Sequence, residues 1–262
     1  MDRAVIAVAG KGSRMNPITK IVAKELLPIG TKPILDFIVD EAVASGVKKI
    51  LFVINRDKLA VPLYFSEVVP EDFNSSGKTY PLRDREGVSA AYVYQDIPKG
   101  TGDAVRLAKK FCEDKPFGLM YGDDITVSDV PCLKQLSLLS LEKGGSCVLA
   151  VQHQPPELAS LYSTVVSRDF NGSYGRVDEL NEKMAPEEIV SDLTSFGRYV
   201  LNKDVFDYLD RVELRGGEYY LTDALATLSK EKELFALNVK CVRYDTGNPK
   251  GYAETFKELC GY

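Results

Sequence analysis

Six consecutive apolar residues, Ala4 to Ala9, run into Gly10. A stretch so short and uniformly apolar predicts a strand buried on both faces of a parallel sheet, because a core helix needs more length. From Ile34 the spacing changes. Ile34, Leu35, Ile38, Val39, Ala42 and Val43 recur on one helical face, and Gly46 stops the pattern. Ile50 to Ile54 is apolar throughout and predicts a second buried strand, which completes a right-handed βαβ unit. The alternation continues with a strand over 90–94 and a helix over 102–111 capped by Thr101. A strand over 117–121 then ends in Gly122-Asp123-Asp124, and a helix over 131–143 leads to a strand over 147–151. This half reads as α/β with a parallel sheet.

Beyond residue 155 the pattern shortens. Strands are predicted over 163–166, 175–180 and 196–201, with helices over 204–211 and 222–231. Asn248 and Pro249 form a cap and first-turn pair for a terminal helix ending near Leu259. Residues 70–87, rich in Pro, Ser, Gly and charge, read as a long loop or small excursion.

Composition narrows the function. The chain has 262 residues, is 45% hydrophobic and 27% charged, and carries a net charge of −5, so it can bury a sizeable core but lacks the basic face of a nucleic-acid binder. Its five cysteines form no CxxC pair and stand beside a single histidine, which excludes a zinc framework. No secretory leader and no apolar run of roughly 18 residues is present, and the expectation is a cytoplasmic protein with reduced thiols.

Gly10-Lys11-Gly12-Ser13-Arg14-Met15 follows the first strand, at the ligand-binding edge of an open parallel sheet. The hexapeptide lacks the third glycine of a dinucleotide fingerprint and the Gly-Lys-Ser ending of a P-loop. What it offers is a loop whose backbone N–H groups can face phosphates, beside the cations Arg14, Lys20 and Lys24. A structural turn and a solvated charge run are the competing readings of the same residues. Asp123, at a strand end behind a glycine, has the chemistry of a Mg²⁺ ligand. An Asp-rich turn is its plainer reading, and Asp124 is a neighbour that could take the same role.

The blocks taken together are specific. Gly10-x-Gly12-Ser13-Arg14-Met15-x-Pro17-x-Thr19-Lys20-x-x-x-Lys24-Glu25-Leu26-Leu27-Pro28, with Lys32-Pro33-Ile34, opens the series. It continues through Gln95 with Lys99-Gly100-Thr101-Gly102-Asp103, Gly122-Asp123-Asp124, Glu182-Lys183, Gly197-Arg198-Tyr199 and Glu218-Tyr219-Tyr220-Leu221-Thr222-Asp223, and closes with Asp245-Thr246-Gly247-Asn248. This ordered series resembles the sugar-1-phosphate nucleotidylyltransferases, most of all their bacterial UDP-glucose pyrophosphorylase branch.

The resemblance implies a Rossmann-like, mixed and mainly parallel sheet flanked by helices, of the nucleotide-diphospho-sugar transferase type, with a β-rich sugar-binding elaboration. It implies one domain over 1–262, with 1–155 as the nucleotide-binding part and 156–262 as the sugar-binding part and terminal helix. The implied reaction joins UTP and glucose-1-phosphate to give UDP-glucose and pyrophosphate. Arg14, Lys24 and Lys183 would be catalytic cations, and Asp123 and Asp245 would hold Mg²⁺. Ala9, Gly10, Gly12, Ser13, Gln95, Gly100 and Thr101 would meet the nucleotide, and Gly122, Glu182, Gly197 and Glu218 the hexose. The resemblance further implies a homo-oligomer, dimer or tetramer, without a nucleic-acid or membrane partner.

Three residues depart from the family pattern: Ala23 and Met184 where proline is usual, and Ser163 where glycine is usual near the sugar. Ser163 and Met184 keep open a thymidylyltransferase, or a uridylyltransferase for another hexose-1-phosphate. A non-catalytic sugar-nucleotide-binding relative would be expected to have lost the cations and carboxylates retained here. His153, the single histidine, lacks the motif of a catalytic triad and reads as structural.

Overall fold

The computed structural model describes residues 1–261. Its first half contains β1 (Arg3–Ala7), α1 (Ile34–Ala44), β2 (Lys49–Ile54), β3 (Ser89–Tyr94), α2 (Gly100–Leu107), β4 (Phe117–Tyr121), β5 (Asp124–Val127), α3 (Cys132–Glu142) and β6 (Cys147–His153). The second contains β7 (Ser163–Val166), β8 (Glu179–Glu182), β9 (Leu193–Leu201), α4 (Leu221–Glu231), β10 (Leu234–Asn238), β11 (Val242–Asp245) and α5 (Pro249–Cys260).

Eleven strands form the main sheet. Its central order is β10-β6-β9-β4-β1-β2-β3, closed at its edges by the short strands Tyr174–Arg176 and Tyr80–Pro81, with β7 attached to β9 and β8 to β7. The pairs β4–β1, β1–β2, β2–β3 and β10–β6 are parallel, whereas β9 runs antiparallel to both its neighbours. Alternate residues of the apolar strands feed opposite faces. Ile6 and Phe52 pack with α1 and α3, and Val5 and Leu51 pack with α2 and α4. Helices thus cover both faces, which is why these strands read as continuous apolar runs.

The topology dictates where a ligand can sit. The chain runs from β1 to β2 to β3 on one side, and β4 then returns to the other side of β1. Between β1 and β4 the winding reverses, and the loops after their carboxyl ends diverge to leave a crevice. Those loops carry Ala9-Gly10 and Gly122-Asp123-Asp124.

A buried ion pair holds the next strand against this crevice. The Arg198 guanidinium of β9 donates to both Glu41 carboxylate oxygens of α1 at 2.7–3.1 Å and to the Asp124 carbonyl at 2.6 Å. Thr126 Oγ1 and the Leu133 N–H also donate to Glu41, so the buried carboxylate is fully engaged. The register of β9 shifts against β6 between Ser195 and Tyr199, a bulge that places Gly197 against Tyr121 and Asp124.

The elements differ from the sequence reading in several places. Thr101 lies inside α2 and does not cap it. The helix begins at Gly100, whose φ of +86° turns the chain, and the Gly102 N–H donates to the Tyr219 carbonyl at 2.9 Å. The strand expected over 175–180 is split, because Val177 and Asp178 change partners: Val177 N–H bonds Leu234 while Asp178 N–H bonds Val166. Finally, β10, β5 and a short helix over Ala60–Ser66 form without having been anticipated. Asn248 does cap α5, accepting from the Gly251 N–H at 2.9 Å.

Candidate active site

The crevice opens into a cleft of about 760 Å³. Its wall is built from the ends of β1 and β4, the start of α2, the inner face of β7–β8–β9, and the end of β11. Of the residues to which the resemblance gives a site role, Ala9, Gly10, Ser13, Arg14, Lys24, Gln95, Gly100, Thr101, Asp123, Glu182, Lys183, Gly197, Glu218 and Asp245 line it. Two do not. Gly12 supports the loop from behind with φ +66°, its carbonyl accepting from Thr19 Oγ1 at 2.8 Å. Gly122 packs behind the cleft wall, where a Cβ would lie 2.3 Å from Val8. Lys20 is also absent from the lining, and Lys11 takes its place.

The first loop is anchored from beneath. Asn55 Nδ2 donates to the Ala9 carbonyl at 3.0 Å, and Lys58 Nζ donates to the Val8 carbonyl at 2.6 Å. Lys58 also forms a buried pair with Glu25 at 2.7 Å, tying the Lys24–Leu26 turn to the end of β1. Burial drives the Glu25 carboxyl up and the Lys58 ammonium down, each opposed by the other's charge.

Two carboxylates from distant positions converge in the cleft. Strand β11 pairs antiparallel with β5, setting Asp245 opposite Asp124, and Thr246 donates through both N–H and Oγ1 to the Asp123 carbonyl at 2.9 and 2.7 Å. Gly247 lies between the acids. A Cβ there would stand 2.7 Å from Asp123 Oδ2, 3.0 Å from Asp245 Oδ1 and 3.1 Å from Arg14 Nη2. The Lys24 ammonium bonds Asp123 directly. Burial raises the Asp123 carboxyl, but Lys24 and Arg14 outweigh it and hold the group below the usual carboxylate range. Lys24 is shifted upward by the same pairing, against the effect of its own burial.

Asp124 faces a different set of partners. Arg243 Nε and Nη2 bond its Oδ1 at 2.9 and 2.8 Å, and the Gly197 N–H bonds its Oδ2 at 2.9 Å. Arg243 is itself sandwiched by Tyr162 at 4.4 Å and Phe196 at 5.0 Å. Asp124 therefore has a structural assignment, and Asp123 is the acid left facing Asp245.

The chemistry of this donor set suits Mg²⁺, which takes one or two carboxylates and completes its shell with phosphate oxygens and water. Asp123 and Asp245 supply the two carboxylates around the space that a Cβ at Gly247 would fill. Among the described residues no cluster of three or more His, Cys, Asp or Glu could hold a metal ion, so substrate would have to provide the remaining ligands.

At one end of the cleft the Gln95 amide nitrogen donates to Asp103 at 2.7 Å and to the Gly100 carbonyl at 3.1 Å, which fixes its orientation. A Cβ on Gly100 would meet the Tyr219 carbonyl at 2.7 Å, so only glycine permits this close crossing. At the other end Glu182 accepts from Ser163 Oγ at 2.5 Å and from Thr222 Oγ1 at 2.8 Å. Lys183, with φ +46°, holds its ammonium 3.7 Å from Glu182 and over the Tyr220 ring. His153 lies outside the cleft, exposed and 3.0 Å from Asp192.

Sequence reasoning missed Arg243, Tyr121, Tyr162, Tyr199, Ser195 and Phe196 as cleft residues. Tyr162 lies in the turn before β7 and the others lie on strands, and apart from the block containing Tyr199 no local motif marked them.

The comparisons accord with this arrangement. The sequence profile of the nucleotidyl transferase family matches residues 3–261, and the chain belongs to that family. It is 36% identical to the UTP–glucose-1-phosphate uridylyltransferase YngB of Bacillus subtilis over 98% of this chain and 89% of that protein. It is 37% identical to UTP–glucose-1-phosphate uridylyltransferase 1 of Streptococcus pyogenes over 97% of this chain and 86% of that one. The crystal structure of a UDP-glucose pyrophosphorylase complexed with UDP-glucose superposes with a TM-score of 0.88 and 28% identity, over 100% of this chain and 99% of that one.

Proposed function

We infer that the chain is a UTP–glucose-1-phosphate uridylyltransferase, which transfers the uridylyl group of UTP to glucose-1-phosphate and releases pyrophosphate. The observation that carries this reading is the near-full-length likeness to enzymes of that name at 36–37% identity. The cleft supports it with cations and a pair of carboxylates suited to a polyphosphate.

In the reaction a phosphate oxygen of glucose-1-phosphate bonds to the α-phosphorus of UTP, and the bond from that phosphorus to the bridging oxygen of the β-phosphate breaks. A sugar phosphate is already anionic near neutral pH, its second pKa lying near ~6 as for other phosphate monoesters, so no base is required. The barrier is electrostatic, and positioning with charge neutralisation lowers it. In the proposed assignment Arg14 grips the β- and γ-phosphates, while Lys24 and Lys183 neutralise the α-phosphate and the sugar phosphate. Asp123 and Asp245 would hold Mg²⁺, which when bound supplies Lewis-acid polarisation of phosphate oxygens. Lys24 keeps Asp123 ionised for that role. Ala9, Gly10, Gln95 and Gly100 meet the uracil, with Ser13 and Thr101 beside the nucleotide, and Glu182, Gly197 and Glu218 meet the hexose.

On this assignment residues 1–155 supply the nucleotide end and 156–262 the sugar end of one domain. The five cysteines are all unpaired, which supports a reducing cytoplasmic setting. Assembly as a homodimer or homotetramer belongs to the same reading, and sedimentation equilibrium measures it directly.

Pyrophosphate release is measured with UTP and with dTTP against glucose-, galactose- and N-acetylglucosamine-1-phosphate, with an EDTA control. Release with UTP and glucose-1-phosphate, abolished by EDTA, is expected. Release confined to another pair would overturn the assigned substrates and keep the reaction, and none with any pair would overturn both.

A further inference from the structure

We propose that Ser195 is a specificity-determining residue whose hydroxyl binds a hydroxyl group of the hexose phosphate. The proposal rests on the reading that the Glu182 end of the cleft receives the sugar.

Ser195 lies on β9, where all nine residues are buried and most are apolar. It is 4% exposed and lines the cleft. Its Oγ is one of the few buried side-chain polar atoms among the described residues that no hydrogen bond satisfies. The Tyr199 phenol lies within polar reach, but it is drawn toward Tyr121 as well and forms no aligned bond to the serine. A buried hydroxyl without a partner destabilises a fold, so alanine would serve folding better at this position.

The surroundings say what could complete the hydroxyl. Ser195 pairs in register with Ser163 on β7, and Ser163 Oγ donates to Glu182 at 2.5 Å. Thr222 donates to the same carboxylate oxygen at 2.8 Å. Two hydroxyls thus orient the carboxylate, while the third, on the neighbouring strand, belongs to a residue lining the same cleft and has no aligned partner in the protein. A carboxylate with an adjacent free hydroxyl is the donor–acceptor arrangement that recognises a polyol. A sugar hydroxyl both donates and accepts, so it can satisfy Ser195 whichever way the serine proton points. Sites that hydrogen-bond a substrate hydroxyl discriminate against analogues lacking it, because the protein group is then left unpaired.

The test compares wild type, Ser195→Ala and Ser195→Thr in pyrophosphate release with UTP and glucose-1-phosphate, and with the 2-, 3-, 4- and 6-deoxy analogues of the sugar phosphate. Ser195→Ala is expected to raise KM for glucose-1-phosphate roughly three- to tenfold, the worth of one hydrogen bond, with KM for UTP unchanged. One deoxy analogue is expected to lose its discrimination, being used equally by wild type and Ser195→Ala. The melting temperature is expected to hold or rise, and Ser195→Thr, which keeps the hydroxyl, to recover part of the affinity.

A fall in melting temperature with equal losses across all analogues, or parallel changes in both KM values, would overturn the proposal in favour of a packing role. Wild-type protein that rejects glucose-1-phosphate overturns the assigned sugar instead. The hexose phosphate it does use then enters the same deoxy series, which still decides on Ser195. Protein that releases no pyrophosphate with any pair overturns both.

Discussion

At Gly247 a hydrogen atom stands where a methyl group would press on Asp123, Asp245 and Arg14 at once. Position 247 therefore tests the paired carboxylates without altering either one. Gly247→Ala is expected to raise the Mg²⁺ concentration giving half-maximal rate at least severalfold and to lower kcat by roughly 10–100-fold, since misplacement by about an ångström can cost that much. Unchanged metal dependence would remove the pair as a metal site. The more direct substitution is Asp123→Asn. It keeps a hydrogen-bonding side chain beside Lys24 but removes the charge, and is expected to cost about 10³-fold in kcat, equivalent to about 4 kcal/mol of barrier. Asp123 faces the cleft, and its loss should cost the fold only about 1 kcal/mol. Turnover and urea midpoint measured on the same preparation separate the two, and near-wild-type turnover would take Asp123 out of the mechanism.

The turn from Lys24 to Leu26 shows how an element is placed by charge rather than by apolar pattern. Nothing in its own sequence fixes its approach to β1, and the constraint comes from Lys58 reaching across to Glu25 and the Val8 carbonyl. Lys58→Met leaves the Glu25 carboxylate buried without a partner and is expected to cost about 3–5 kcal/mol. The double variant Glu25→Leu with Lys58→Met removes both charges and should be less destabilised than the single one, as urea unfolding would register. A double variant at least as unstable as Lys58→Met would show that the pair's value is not mainly the avoidance of an orphaned charge. This distinction between pattern and charge also explains what the sequence revealed. β1, β2, β4 and β6 were legible because strands covered on both faces must be apolar throughout, and α1 because one face alone is buried. β10 was not, because Leu234-Phe235-Ala236-Leu237 follows the α4 apolar face with only Lys232 and Glu233 between them, and no glycine or proline marks the boundary. Thr101 looked like a cap because capping by a distant backbone carbonyl leaves no local trace. In the site, the phosphate-facing loop was legible from its glycines and cations. The meeting of Asp123 with Asp245 came only through family resemblance, since a two-stranded ladder joins them across more than a hundred residues of chain. Arg243 escaped notice for the same reason.

In a chain of net charge −5 the cleft interleaves both signs: Lys11, Arg14, Lys24, Lys183 and Arg243 stand among Glu25, Asp123, Asp124, Glu182, Glu218 and Asp245. The cleft therefore has no net positive field, and neutralising two anionic substrates depends on where the individual cations stand and, on the proposed assignment, on a metal held by the carboxylates. The sheet decides whether the two ends of that cleft can act independently. β9 belongs to the second half of the chain, yet it lies between β4 and β6 of the first and pairs with both. A chain cut after residue 155 would leave those two strands with exposed inner edges and would uncover the apolar face against which α4 packs. Residues 1–155 alone are therefore expected to show no cooperative unfolding transition, whereas the full chain should unfold in a single calorimetric step. UTP contacts chiefly the first half on the proposed assignment, but in one cooperative unit its binding energy must stabilise everything. At 100 times its Kd it contributes about 2.7 kcal/mol, which for a chain of this size should move the entire transition upward by about 5–10 °C. Two transitions, of which UTP shifts only one, would instead mean that the nucleotide and sugar ends fold separately and that β9 contributes little to joining them.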